Sequence, residues 1–161
     1  MIPDGAEPPF SLGSLMKKRI LSAALVLLFA ASLSNAHVTV WPRESRPGAH
    51  EKYVVRVPTE GKIATASVEL AIPEGVTVVS LAAPSGFTYE LKRTGDRVTS
   101  IVWSMRIQPG EFAEFAFMAR NPKEGGDLTW KATQRFVDGT QTEWTGPRGD
   151  KRPAPVTVLK P

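Results

Sequence analysis

From residue 51 to residue 159, apolar side chains return at every second position, and this alternation restricts the chain more than any other feature. "EKYVVRVP" sets Tyr53, Val55 and Val57 on one face. "ATASVELAIP" sets Ala66, Val68, Leu70 and Ile72 on one face, opposite Ser67 and Glu69. "DLTWKATQRF" points Leu128, Trp130, Ala132 and Phe136 inward, against Thr129, Lys131, Thr133 and Arg135. "VTSIVWSM" and "EFAEFAFMAR" follow the same rule. A period of two is that of a strand with one buried face. Turn signals divide the runs: "PEG" at 73–75, "PSG" at 84–86, "TGD" at 94–96, "QPG" at 108–110, "EGG" at 124–126 and "DGT" at 138–140. Sustained helical periodicity is missing. The pattern predicts an all-β domain, an Ig-like two-sheet β-sandwich of about seven to nine strands. "GPRGDKRPAP", 146–155, is expected to be a polar, proline-rich loop before a last strand, "VTVL".

A different pattern precedes this domain. "MKKRILSAALVLLFAASLSNA", residues 16–36, opens on Lys17, Lys18 and Arg19, continues through an apolar stretch from Ile20 to Leu33, and ends with Ser34 and Ala36 at the −3 and −1 positions of a cleavage site. This is the form of a cleavable signal peptide. The apolar stretch is shorter than the roughly 20 residues that span a bilayer. Residues 1–15 read as an upstream extension before the start at Met16, 16–36 as the signal peptide, and 37–161 as the exported domain. The expected location is the periplasm or the exterior, with no membrane anchor after cleavage.

Composition removes several functions. The 161-residue chain has no cysteine, so it can form neither a disulfide framework nor a thiolate metal site. Three of its 20 bases and two of its 16 acids precede residue 37, which leaves the domain at +3. Those charges are scattered, with no basic run interleaved with aromatics, so nucleic acid is not an expected partner. The hydrolase patterns G-x-S-x-G and H-E-x-x-H are absent.

Cleavage after Ala36 would make His37 the first residue. A terminal histidine offers one metal both its α-amine and its imidazole Nδ1, which close a chelate ring. Nitrogen donors in a plane suit Cu(II), the divalent ion at the top of the affinity order. A lone histidine is more often a surface group, so further donors matter. His50 is the other imidazole, in "RPGAHEKY"; Glu51 and Glu60 lie near strand ends.

"AHVTVWP" at the cut, "YVVRVPTEGKIATASVELAIPEGV" at 53–76 and "TEWTGPRGDKRPAPVTVL" at 142–159 resemble the YcnI-like domain, an exported copper-binding domain. The likeness spans nearly the whole expected mature chain. It implies a Cu(II) site of the monohistidine-brace type, with amine and imidazole from one histidine, a carboxylate from one glutamate and a tryptophan close by. Position by position, the histidine is His37, the glutamate Glu60 and the tryptophan Trp144; Glu51 and His50 stay open as ligands. Several family members carry a C-terminal membrane anchor, whereas this chain ends at "VTVLKP", and a soluble periplasmic protein is expected.

The resemblance implies a copper chaperone or buffer rather than an enzyme, with the copper ion and other copper-handling proteins as partners. Two alternatives differ in class. A copper oxygenase needs a second histidine in its brace, a role open to His50 alone. A metal-free adhesive or structural sandwich needs no metal ligand. Of the tryptophans, Trp103 and Trp130 fall on inward phases, Trp41 is expected to be half-buried, and composition alone would put Trp144 on the surface. Met105 and Met118 read as packing residues, since methionine commonly fills gaps in a core.

Overall fold

A computed structural model describes residues 37–161. The expected extension and signal peptide lie outside the described residues. Twelve strands follow in order: β1 Thr39–Trp41, β2 Glu44–Ser45, β3 His50–Pro58, β4 Thr65–Ala71, β5 Thr77–Leu81, β6 Thr88–Thr94, β7 Arg97–Ile107, β8 Phe112–Arg120, β9 Gly126–Thr129, β10 Ala132–Phe136, β11 Gln141–Trp144 and β12 Val156–Leu159. The described residues contain no helix.

Nine strands form the two large sheets of the sandwich, ordered β1-β3-β8-β5 and β11-β10-β4-β7-β6. The remaining three make a small sheet, β2-β12-β9, that the sequence did not announce. β12 is the expected last strand and β9 falls in the "DLTWKATQRF" run, but nothing in their alternation pairs them with each other or with the two-residue β2. All six turn signals fall at connections between strands. The "PEG" turn shows why its glycine is needed. Gly75 has φ +80°, and a Cβ there would lie 2.9 Å from Pro122 Cβ, so both backbone and space exclude a larger residue.

Alternation decides what is buried. Tyr53, Val55 and Val57 of β3, Val68 and Leu70 of β4, and Phe115 and Phe117 of β8 are all buried in one core with Trp103 and Trp130. The sheets meet through aromatic rings: Trp103 of β7 stacks on Phe115 of β8 at 5.0 Å, and Tyr53 of β3 lies 4.7 Å from Trp130. Burying each such side chain is worth about 1.5–3 kcal/mol.

Expected faces fail in three places. Against β10 the register slips between Arg135, opposite Ser67, and Phe136, opposite Thr65, so Ala66 is an extra residue of β4; Thr65 is buried and Ala66 only partly so. A bulge of this kind re-aims a side chain. Gln134, opposite Val68 in the register, occupies an inward slot of β10 and is buried although polar, while Phe136 is only partly buried. Met118 belongs to the outward phase of β8 and is exposed, which corrects its reading as a packing residue. Met105 does pack against the core.

Candidate metal centre

β1 pairs antiparallel with β3 through Thr39–Arg56, Val40–Val55 and Trp41–Val54. Continued two residues back, that register brings His37 level with Pro58, two residues before Glu60. The His37 ring is partly exposed and rests edge-on against Trp144, with ring centres 5.4 Å apart and an interplanar angle of 69°. Its Nε2 donates to the Lys151 carbonyl at 3.2 Å. A carbonyl oxygen can only accept, so Nε2 donates, and of the two neutral tautomers the contact selects the one with a lone pair on Nδ1. Metal-binding histidines are commonly oriented in this way, one nitrogen held by a carbonyl and the other left for the ion.

Trp144 ends β11, opposite Ala132. It is 7% exposed, not the surface aromatic that its polar neighbours suggest. Its indole Nε1–H donates to Gln134 Oε1 at 3.3 Å. The Gln134 amide donates in turn to the Pro58 carbonyl at 2.9 Å and to Thr65 Oγ1 at 2.7 Å. Thr65 Oγ1 lies 2.7 Å from Thr59 Oγ1. The bulge in β4 thus turns Thr65 into a buried polar chain that runs from Trp144 to the residue before Glu60. Glu60 itself is exposed, where the chain leaves β3.

Three sequence candidates therefore share one end of the sandwich: His37 and Trp144 in contact, and Glu60 on the adjoining segment. His50 and Glu51 do not join them. At about 3.3 Å per residue, the eight steps of β3 from Pro58 put His50 roughly 26 Å away. Glu51 is engaged at that far end, where its Oε2 accepts from Ser45 Oγ at 2.6 Å. Trp41, expected to be half-buried, is exposed at 42% and lies under the Arg43 guanidinium at 4.5 Å.

The loop that supplies the Lys151 carbonyl is closed upon itself. Gly146 N donates to Arg152 O, Ala154 N to Gly146 O, and Arg152 N to Asp150 Oδ1. A Cβ on Gly146 would lie 2.7 Å from the Asp150 carboxyl carbon. Arg148, Lys151 and Arg152 are exposed on this loop, with Asp150 among them.

Among the described residues no group of three or more His, Asp or Glu side chains could hold a metal ion. The candidate donors at this end are His37 Nδ1 and, two residues beyond the Pro58 that stands level with His37, the carboxylate of Glu60: nitrogen and oxygen without sulfur. Such donors fit Cu(II) better than Cu(I). A complete site needs a donor beyond these two. Gln134, Thr65 and the Lys151 carbonyl escaped sequence reasoning. A glutamine in the inward phase of β10 was the one available signal.

The family described as "Domain of unknown function (DUF1775)" matches residues 37–159. The chain is similar to a protein of Bacillus subtilis (strain 168) named copper-binding protein CutI, with 34% identity over 136 residues, covering 83% of this chain and 67% of that protein. It also resembles the crystal structure of an uncharacterized protein from Nocardia farcinica with an immunoglobulin-like fold, with a TM-score of 0.67 and 24% identity, covering 76% of this chain and 97% of the other.

Proposed function

The chain belongs to the DUF1775 family, in keeping with its resemblance to YcnI-like domains, and on that premise we propose that it is an exported Cu(II)-binding protein, a copper chaperone or buffer. In this reading the signal peptide is removed after Ala36 and the domain works in the periplasm or outside the cell. Copper is its cargo, held by the His37 amine and Nδ1 with the Glu60 carboxylate, beside Trp144. Other copper-handling proteins deliver and receive it.

The observation that carries the proposal is the attitude of the His37 ring. Its Nε2 is committed to the Lys151 carbonyl, its edge is set by Trp144, and its Nδ1, the nitrogen that closes a chelate ring with the amine, is left for a metal. The named copper-binding relative supports the choice of metal. The distance from Pro58 to His50 weighs against a two-histidine oxygenase, because one ion cannot bridge it.

The test compares Cu(II) affinity in three forms: protein starting at His37, protein retaining Ala36, and His37→Ala. We expect one Cu(II) per chain in the first and a loss of at least tenfold in the other two, with circular dichroism unchanged. The extension turns a basic amine into a peptide nitrogen, a poor ligand unless deprotonated. Equal affinity in the cleaved and extended forms would remove the terminus from the ligand set.

A further inference from the structure

Gln134 is the polar side chain that the core should not tolerate. It is 2% exposed, it stands in an inward slot of a central strand, and desolvating an amide is unfavourable unless every group finds a partner. Here each does. Its oxygen faces Trp144 Nε1, which can only donate, and its nitrogen faces the Pro58 carbonyl, which can only accept, so the amide has one possible orientation. Thr65 Oγ1 takes the second N–H.

These partners belong to two different parts of the proposed site. Trp144 is the wall against which His37 rests. Pro58 and Thr59, the latter tied in through Thr65, form the end of β3 from which Glu60 emerges. We infer that Gln134 is a positioning residue for the metal site, holding Trp144 and the Pro58–Glu60 segment in one fixed relation so that His37 and Glu60 reach the same ion. This rests on the copper reading above. The hydrogen bonds also predict a metal-free consequence: without Gln134 the indole loses its anchor, and the His37 ring loses its fixed attitude.

The experiment uses protein starting at His37, as wild type, Gln134→Met and Tyr53→Phe. The last removes a buried hydrogen bond to Asn121 at the opposite end of β3, 2.7 Å long, and so controls for general destabilisation. In the metal-free state, Gln134→Met should collapse the ring-current shift of the His37 imidazole protons and speed exchange of the Trp144 indole N–H, both read by NMR. Its Cu(II) affinity should fall about 10–100-fold, the usual effect of removing a group that orients a ligand, with an altered EPR spectrum. Tyr53→Phe should leave all of these unchanged. If Gln134→Met does not fold, Thr65→Val removes one of the amide's acceptors, leaves the bond to Trp144, and should produce smaller changes in the same direction. Wild-type positions for the His37 and Trp144 signals in the Gln134 or Thr65 variant would overturn the inference. So would an affinity loss matched by Tyr53→Phe. If wild type binds no Cu(II), the copper proposal falls, and the metal-free NMR comparison still decides whether Gln134 positions His37.

Discussion

At the scale of single residues, the two ends of β3 make opposite predictions. Glu60 leaves the end level with His37, whereas Glu51 and His50 stand at the other. Glu60→Gln should therefore weaken Cu(II) binding at least tenfold, because an amide does not neutralise the charge of the dication. Glu51→Gln and His50→Ala should leave titration curves at wild-type positions; a larger effect from His50→Ala would restore the two-histidine site. Trp144→Phe should keep one Cu(II) per chain and shift the EPR parameters or the ease of reduction, since the indole lies beside the ligands. His37 was legible because a signal-peptide pattern ends immediately before it. Trp144 was legible through family likeness alone, as its neighbours Glu143 and Thr145 suggest solvent. Gln134 was not legible: alternation marks inward slots but gives no reason to expect an amide in one, and its three partners come from segments 10 to 76 residues away.

Among the elements, β4 shows how far periodicity reaches. Val68 and Leu70 follow the expected phase, and the extra residue at Ala66 breaks it toward the start of the strand. Bulges carry no fixed sequence mark, so the turn of Thr65 into the polar chain had to be seen. On the other face of β4, Glu69 binds the five-stranded sheet laterally. It accepts from Lys92 of β6 at 2.7 Å, Ser100 of β7 at 2.9 Å and Arg135 of β10 at 3.2 Å. Partial burial alone would raise its carboxyl pKa, but the bonds from Lys92 and Ser100, the Lys92 charge and the bond from Arg135 outweigh that and hold it below the ordinary value. A depressed folded-state pKa stabilises the fold above the unfolded-state value, and that stability is lost as pH falls toward the folded-state value. Glu69→Gln should accordingly cost about 1–2 kcal/mol at neutral pH, with the gap to wild type closing below about pH 4. Urea denaturation across pH 3–7 would measure it, and a gap independent of pH would show that the charge does not contribute.

Across the whole molecule, stability rests on the aromatic layer between the large sheets. Phe115 stacks on Trp103 at 5.0 Å and meets Phe87 edge-on at 5.2 Å. Phe115→Ala should lower unfolding free energy by about 3–5 kcal/mol, seen as a lower denaturant midpoint with an unchanged slope. A loss under 1 kcal/mol would mean that the sheets close over the gap. This layer and the two-sheet architecture were legible because alternation runs through every long strand. The small third sheet was not, because β2 has only two residues and the pairing of β12 with β9 and β2 joins segments that no alternation links. The ring of His37 is held against Trp144 and the Lys151 carbonyl by its side chain alone, not by its backbone nitrogen. Anchorage of the ring and supply of an amine are therefore separable. In the proposed reading, a form that retains Ala36 would keep the ring in place and lose only the chelate, so an NMR signature of the seated imidazole would survive where copper affinity does not.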